Sequence, residues 1–160
     1  MELKHATHEF PPLYDENSRI LILGSFPSIR SREQKFIYGH PQNRFWKILA
    51  AVYGEEELLS IEEKREFALR HGIALYDSIE ECDIIGSSDS SIRNVIPADL
   101  TPIFEAAKIE HIFTNGKASA RMFEKYQTTL IPMTCLPSSS PANAAWSLDK
   151  LIEAWGVIRL

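Results

Sequence analysis

Most of the side chains that could do chemistry in this chain lie in one loop. Residues 24–46, GSFPSIRSREQKFIYGHPQNRFW, follow a short apolar run and combine basic, aromatic, imidazole and amide groups. Connections in α/β units usually take only a few residues, and a much longer connection is often a binding loop. The segment therefore predicts a ligand-binding loop, in which Tyr38 offers a ring for stacking and His40 a contact for a phosphate.

Each of these residues also has a purely structural interpretation. Tyr38 can be an ordinary aromatic at the rim of the fold, and His40 a hydrogen-bonded structural histidine. Asn43 precedes an amphipathic helix, so it is typical of a helix N-cap. From the pattern alone, the cap is the favoured interpretation of Asn43.

Basic side chains are concentrated in the same region. Between positions 30 and 47 there are five lysines and arginines and a single acidic residue, although the whole chain has a net charge of −5. Local positive charge in an acidic protein suits a phosphate-lined ligand and argues against random coating of nucleic acid. Arg30, Arg32 and Lys35 are thus predicted to contact phosphates, with chance clustering in a solvated loop as the alternative.

Three further segments of unusual composition follow predicted strands: DSIEECDIIGSSDSSIRN, NGK and PSSSPANA. Ser138, Ser139 and Ser140 suggest a nucleophile, but the G-x-S-x-G elbow is missing. They are better interpreted as donors to an anion ahead of a helix that begins near Ala144, with a capped turn as the alternative. For Asp89 and Arg93 the alternative to a site is a turn closed by a salt bridge. Motifs for metals and nucleotide cofactors are missing, so we expect neither.

Alternating strands and helices position these segments. Periodicity and capping signals predict strands at 19–23, 72–77, 111–114 and 129–136, and helices at 45–53, 60–71, 101–107, 117–126 and 144–155. This order predicts a mostly parallel sheet with helices on both faces. The loops after its strands gather at one edge, where ligands bind in such sheets.

Composition bounds the class of protein. With 160 residues, 44% of them hydrophobic, the chain suits a single domain over 1–160 with a real core. Cys82 and Cys135 fit no metal or redox spacing, and we expect two buried thiols in a reducing cytoplasm. The N-terminus lacks an apolar signal core and no run is long enough to span a membrane. These features predict a soluble cytoplasmic protein.

Three motifs carry a resemblance to a known family. LILGSFP, YGHPQNRFWKIL and LPSSSPANAAW resemble the paired motifs of the uracil-DNA glycosylase superfamily, over about 19–155. The second is similar to the H-P-x-N-R-F-W block of the mismatch-specific uracil/thymine branch, and the third resembles the hypoxanthine-DNA glycosylase branch. The resemblance implies a three-layer α/β/α fold around a short four-stranded parallel sheet. It also implies a monomeric, monofunctional glycosylase of base excision repair, which flips a deaminated base out of double-stranded DNA and needs no cofactor or metal.

The resemblance also implies functions for single positions. Most branches carry a water-orienting asparagine or aspartate where this chain has Phe26, and often histidine or asparagine where it has Ser138. The hypoxanthine branch shares the first departure and relies on the asparagine of the H-P-x-N block, here Asn43, which is the predicted catalytic residue. The predicted base contacts are Gly24, Ser25, Phe26, Tyr38 and Ser138. The predicted DNA contacts are Arg30, Arg32, Lys35, His40, Ser139, Ser140, Pro141, Ala142 and Asn143, with the duplex wedged near Ala142 and Asn143.

Hypoxanthine is the favoured base, and other functions stay open at this point. Within the family, the alternative is a uracil or broad deaminated-base glycosylase. Loss of the usual water-orienting residue would also permit a non-catalytic module that binds DNA lesions. A small-molecule α/β hydrolase that uses the serine cluster is disfavoured by the missing elbow and the basic loop.

Overall fold

A computed structural model describes residues 2–159. The strands are β1 (Lys4–Thr7), β2 (Ile20–Gly24), β3 (Ile73–Asp77), β4 (Ile79–Ile84), β5 (Arg93–Pro97), β6 (His111–Asn115) and β7 (Met133–Leu136). The helices are α1 (Ile29–Gln34), α2 (Phe45–Val52), α3 (Ile61–Arg70), α4 (Thr101–Ala106), α5 (Lys117–Tyr126) and α6 (Leu148–Trp155).

The predicted parallel sheet is confirmed. Its four strands run in the order β3-β2-β6-β7, and every neighbouring pair is parallel. In the central strand Leu21 lies beside Ala74 of β3 and Ile112 of β6. All five residues of β2 are buried, as is typical of a parallel strand covered on both faces.

Alternate side chains of β2 enter two separate cores, which defines the three layers. Ile20 and Ile22 pack in a core with side chains of α2, α3 and α6, including Phe45 and Trp155. Leu21 and Leu23 point to the other face and pack with side chains of α4 and α5. The predicted α/β/α arrangement is therefore confirmed.

A second, antiparallel sheet of order β1-β4-β5 was not predicted. Its strands come partly from the segment after β3 that the sequence presents as a polar binding loop. β4 buries Ile79, Cys82 and Ile84 on a pattern interrupted by bulges, so the period of two that marks a half-buried strand is broken. The sheet packs Phe26 against Ile79 and Cys82 in a small core of its own.

Two predicted boundaries are wrong, and one short helix was not predicted. The last helix begins at Leu148 rather than near Ala144, because the Ser147 hydroxyl caps it by accepting a hydrogen bond from the Lys150 N–H. The last strand begins at Met133 rather than at position 129, and Leu130 is fully exposed. The short helix α1 lies inside the predicted loop, where Ser28 caps it by accepting from the Ser31 N–H.

The cysteine prediction is half right. Cys82 is a buried free thiol, whereas Cys135 is exposed because it lies on β7, at the edge of the parallel sheet. Within residues 2–159, no helix is both long and apolar enough to cross a membrane.

Candidate active site

A cavity of about 290 Å³ opens at the carboxyl edge of the parallel sheet. The segments that follow β2, β3, β6 and β7 all contribute to its wall, as the alternation of strands and helices predicts. The predicted site residues that line it are Gly24, Ser25, Phe26, Tyr38, His40, Asn43, Ser138, Ser139, Ser140, Pro141 and Ala142. Arg30, Arg32, Lys35 and Asn143 lie outside the lining.

Asn43 is held in the cavity wall by its side-chain oxygen. Its Oδ1 accepts hydrogen bonds from the Phe45 N–H at 2.9 Å and from the Ser139 Oγ at 2.8 Å. An amide oxygen has two lone pairs, so both are used. Within residues 2–159 the Asn43 Nδ2 makes no hydrogen bond to protein, which leaves two N–H donors for a ligand in the cavity.

The N-cap of α2 is Arg44, so the N-cap interpretation of Asn43 is wrong by one residue, although its side chain still serves the start of the helix. Phe45 is the first residue of α2, and its N–H has no partner within the helix. The Asn43 oxygen supplies that partner. One atom of the side chain thus anchors the helix, while the other remains available to the cavity.

Asn115 is a site residue that sequence reasoning missed. At the end of β6, its Oδ1 accepts from the Ser139 N–H and its Nδ2 donates to the Ser139 Oγ, both at 2.9 Å. Ser139 is fully buried, and its hydroxyl donates a hydrogen bond to the Asn43 Oδ1. The only signal in the sequence is that Asn115 starts NGK, one of the segments that follow a strand.

Arg44 holds the HPQNRFW segment against the serine-rich segment that follows β7. Its guanidinium donates to the backbone carbonyls of Ser140 at 2.9 Å and Asn143 at 3.1 Å, and also to that of Trp146. Its backbone N–H donates to the Ser139 carbonyl at 3.2 Å. We call the set of Asn43, Arg44, Asn115 and Ser139 the amide wall, since every member is tied to another part of the site.

The serine-rich segment is a capped turn and not the start of a helix. The Ser138 Oγ accepts from the Ser140 N–H at 3.1 Å, and the Ser140 Oγ accepts from the Ala142 N–H at 3.2 Å. The Asn143 Nδ2 donates to the Ser138 carbonyl at 3.0 Å. The helix start predicted near Ala144 is wrong, because α6 begins several residues later, and the N–H groups of Ser139 and Ser140 are used within the protein. Contact of these serines with DNA stays a prediction.

Tyr38 presents its ring to the cavity with an aromatic support behind it. The ring stacks on Phe45 with centroids 3.9 Å apart and an interplanar angle of 26°. Its buried hydroxyl has no hydrogen-bond partner within residues 2–159 and lies 3.0 Å from the position of a Cβ on Gly24. Burial and the charge of Asp77 raise the pKa of Tyr38, so the phenol stays neutral. The same Cβ would lie 2.3 Å from the Asp77 Oδ1, which explains the glycine.

Two carboxylates face the cavity at different depths. Asp77 ends β3, is 2% exposed, and its Oδ2 accepts from the buried His8 Nε2 at 2.8 Å. Asp89 is exposed as a residue, and its Oδ1 accepts from the Ser25 Oγ at 2.8 Å. Burial of the carboxyl in the cavity wall raises the pKa of Asp89. Arg93 donates to the carbonyls of Ser90 and Ile92, so the salt bridge considered for Asp89 and Arg93 does not form.

The basic residues of α1 divide into free and engaged side chains. Arg30 and Lys35 are exposed. Arg32 instead donates to the Gly86 carbonyl at 2.9 Å and lies over the Phe26 ring, 5.4 Å from its centroid. His40 uses its Nδ1 to accept from the Gln42 N–H at 3.1 Å, which leaves its Nε2 for another partner.

A parallel three-layer sandwich with an amide-lined cavity at its carboxyl edge is a fold that known proteins share. The family model of the uracil DNA glycosylase superfamily matches residues 11–159, and the chain belongs to that superfamily. The predicted family, and with it the class of DNA glycosylases, is confirmed.

Two curated relatives carry the same name. The chain is 34% identical over 152 residues to the "Hypoxanthine DNA glycosylase" of Methanosarcina acetivorans, covering 94% of this chain and 96% of that protein. It is 32% identical over 153 residues to the protein of that name from Methanosarcina barkeri, covering 91% and 93%. A solution NMR structure from Methanosarcina acetivorans, described as a uracil DNA glycosylase, superposes with a TM-score of 0.77 at 32% identity and covers 94% of both chains.

Proposed function

We propose that this protein removes hypoxanthine from double-stranded DNA by hydrolysing the N-glycosidic bond, as a step of base excision repair. The observation that carries the proposal is the Asn43 side chain, which lines the strand-end cavity, is fixed through its oxygen, and has no hydrogen bond from its Nδ2 within residues 2–159. The names of the two Methanosarcina relatives support hypoxanthine over uracil.

Hydrolysis of the N-glycosidic bond is helped by a hydrogen-bond donor to the departing base, and the Asn43 amide is such a donor. Breaking the bond between C1′ and N9 leaves a positively charged sugar and a purine that gains negative charge. A donor held in place before the reaction stabilises that purine without reorganising and without titrating. Because both lone pairs of the Asn43 oxygen are engaged, the side chain acts on the departing base rather than as an acceptor for water.

The damaged base can enter the cavity only if its nucleotide rotates out of the duplex. Rotating a nucleotide out of the duplex costs a few kcal/mol, and less when the base is mispaired, as hypoxanthine is opposite thymine. The Tyr38 ring, supported by Phe45, offers a stacking surface for the flipped base. Pro141 and Ala142 lie exposed at the cavity rim, where the duplex would be wedged.

Duplex DNA that contains a deaminated base is the proposed partner. The exposed Arg30 and Lys35 are free to contact its phosphates, and Arg32 places its charge beside the cavity. We also propose that the protein acts as a monomer. A reducing cytoplasm is the proposed location, since the thiols of Cys82 and Cys135 are free.

The test of the proposal is base release from matched duplexes. Duplexes that differ only in carrying hypoxanthine, uracil or xanthine at one position are incubated with the protein, and alkali then cleaves any abasic site. We expect cleavage at hypoxanthine, and cleavage there that is about 10²–10³-fold slower with an Asn43→Ala variant prepared in the same way. Release of uracil alone would make uracil, and not hypoxanthine, the substrate. Tight binding without release of any base would leave the binding of DNA lesions as the function.

A further inference from the structure

Hydrolysis needs an acceptor for a proton of water, and the amide wall does not supply one. The Asn43 oxygen already accepts two hydrogen bonds. The Ser139 hydroxyl accepts from Asn115 and donates to Asn43. The Ser138 hydroxyl accepts from the Ser140 N–H, and Phe26 contributes only carbon. His40 accepts through its Nδ1 from the Gln42 N–H, so its Nε2 is a donor and not an acceptor. The acceptor must therefore be sought among the carboxylates of the cavity.

Asp89 is the carboxylate with a free oxygen near the mouth. Its Oδ1 accepts from Ser25, and within residues 2–159 its Oδ2 has no hydrogen-bond partner. Asp77 also has only one oxygen engaged, its Oδ2 by the His8 Nε2. It differs from Asp89 in depth, because Asp77 is 2% exposed whereas Asp89 is exposed. A flipped nucleotide enters base first, so its base meets the floor of the cavity while its sugar, still joined to the DNA backbone, stays at the mouth. The shallow carboxylate is the one on the side of C1′.

We infer that Asp89 is a catalytic residue, which holds the attacking water and offsets the positive charge on the sugar. This inference rests on the proposed function. The residues around the carboxylate show that it is a positioned group rather than a mobile surface acid, since its anchor, Ser25, is buried and follows β2 directly.

The loop that carries Asp89 is braced from both sides. Asp89 opens a single 3₁₀ turn, Asp89–Ser91, and the Ser91 Oγ accepts from the Ile85 N–H at 2.8 Å while donating to the Ser88 carbonyl at 2.6 Å. The Ser87 Oγ accepts from the Ile29 N–H at 3.0 Å, which ties the same loop to α1. The backbone under the carboxylate is thus fixed to β4 and to the basic helix.

The step balances without any other reactant. As the C1′–N9 bond breaks, its electron pair leaves with N9 of the purine. The water oxygen bonds to C1′, and one water proton passes to the Asp89 carboxylate, which becomes a carboxylic acid. Asp89 then releases that proton to solvent, and the purine takes one up. The products are an abasic sugar with a C1′ hydroxyl and neutral hypoxanthine.

The groups around Asp89 determine its pKa, and through it whether the cleavage rate rises or falls with pH. Burial and the neighbouring Asp77 raise the pKa of Asp89. The hydrogen bond from Ser25 and the charge of Arg121 on α5 lower it, but the net shift of the pKa is upward. Tyr38 and Cys82 are the other titratable groups that its charge reaches, and burial raises the pKa of both. As the pH falls through the raised pKa of Asp89, the carboxylate is protonated and can no longer accept a proton from water. The cleavage rate is therefore expected to fall on the acid side.

The experiment compares single-turnover cleavage of a hypoxanthine duplex at saturating protein across pH. Asp89→Asn keeps the size of the side chain and an acceptor for Ser25, and it removes the negative charge and replaces the other oxygen by an NH₂ group, which cannot take a proton from water. Asp83→Asn is the matched control, because Asp83 lies on β4, outside the cavity lining, and pairs with His5 and Asn94. Melting temperatures and the Kd for the lesion duplex ensure that every rate refers to folded, DNA-bound protein.

We expect Asp89→Asn to lose about 10²–10⁴-fold in rate, with its acid-side fall abolished and its DNA affinity kept. Asp83→Asn should follow the parental profile. An Asp89→Asn variant that cleaves at the parental rate, or retains the acid-side fall, would overturn the assignment while leaving the proposed function intact. A parental protein that releases no base from any of the duplexes would overturn both.

Discussion

The amide wall and the basic helix α1 border the same cavity but are built in opposite ways. In the amide wall, Asn43, Ser139 and Asn115 form a continuous chain of hydrogen bonds, and Arg44 ties it to the serine turn. By contrast, Arg30 on α1 and Lys35 at its C-cap are exposed to solvent. Preorganised dipoles are what a transition state needs, whereas mobile surface charges suit the phosphate backbone of any sequence. The comparison assigns rate to one region and affinity to the other.

Of the two regions compared, the amide wall gives the larger expected effect on rate. Asn43→Ala removes the N–H donors from the cavity, and losing one preorganised contact of this kind costs about 10²–10³-fold in rate. It also removes the acceptor for the Phe45 N–H, so about 1 kcal/mol of stability should be lost. Single-turnover rates and thermal melting measure the two effects separately. A destabilised variant that still cleaves at the parental rate would reduce Asn43 to a cap.

Tyr38 stands between the two regions and should affect both rate and affinity. Stacking of a base on an aromatic ring is worth about 1–3 kcal/mol, so Tyr38→Ala should weaken cleavage of the lesion duplex accordingly. Tyr38→Phe keeps the ring on Phe45 and removes a hydroxyl that has no partner within residues 2–159, so it should retain most of the rate. The measurement is the cleavage rate as a function of protein concentration. If the two variants were equally impaired, the hydroxyl and not the ring would matter.

The smallest effect on rate is expected at the basic helix. Replacing Arg30, Arg32 and Lys35 together by glutamine should weaken binding to all duplexes alike, with or without a lesion, and flatten the salt dependence of Kd. The rate at saturating protein should stay near the parental value. Binding titrations at several salt concentrations measure the slope. An unchanged slope would show that α1 does not contact DNA, and the assignment of affinity to this region would be wrong.

The parallel sheet could be predicted because its signals are local. β2 is an uninterrupted apolar run closed by Gly24, and the buried run of β3 likewise ends at a polar residue, Asp77. The position of the site followed from the rule that loops gather at the carboxyl edge of such a sheet. The antiparallel sheet escaped prediction because β4 carries bulges and mixes buried with charged positions.

The polar network of the site could not be predicted, because its partners are distant in sequence. Asn43 and Ser139 are 96 residues apart, and no local pattern specifies their hydrogen bond. Asn115 resembles an ordinary turn residue before Gly116, and Asp77 an ordinary strand end. The serine turn illustrates the opposite error, since its composition suggested a helix start that Ser147 in fact provides.

The central claim, that the Asn43 amide donates to the departing base, is tested most directly by Asn43→Asp. A carboxylate keeps an oxygen for the Phe45 N–H and the Ser139 hydroxyl, so the helix cap survives, but it brings no N–H and repels a purine that gains negative charge. The measurement is the single-turnover rate on a hypoxanthine duplex, together with the melting temperature. The account predicts a parental melting temperature and a rate as low as that of Asn43→Ala. A folded aspartate variant that cleaves at the parental rate would contradict it.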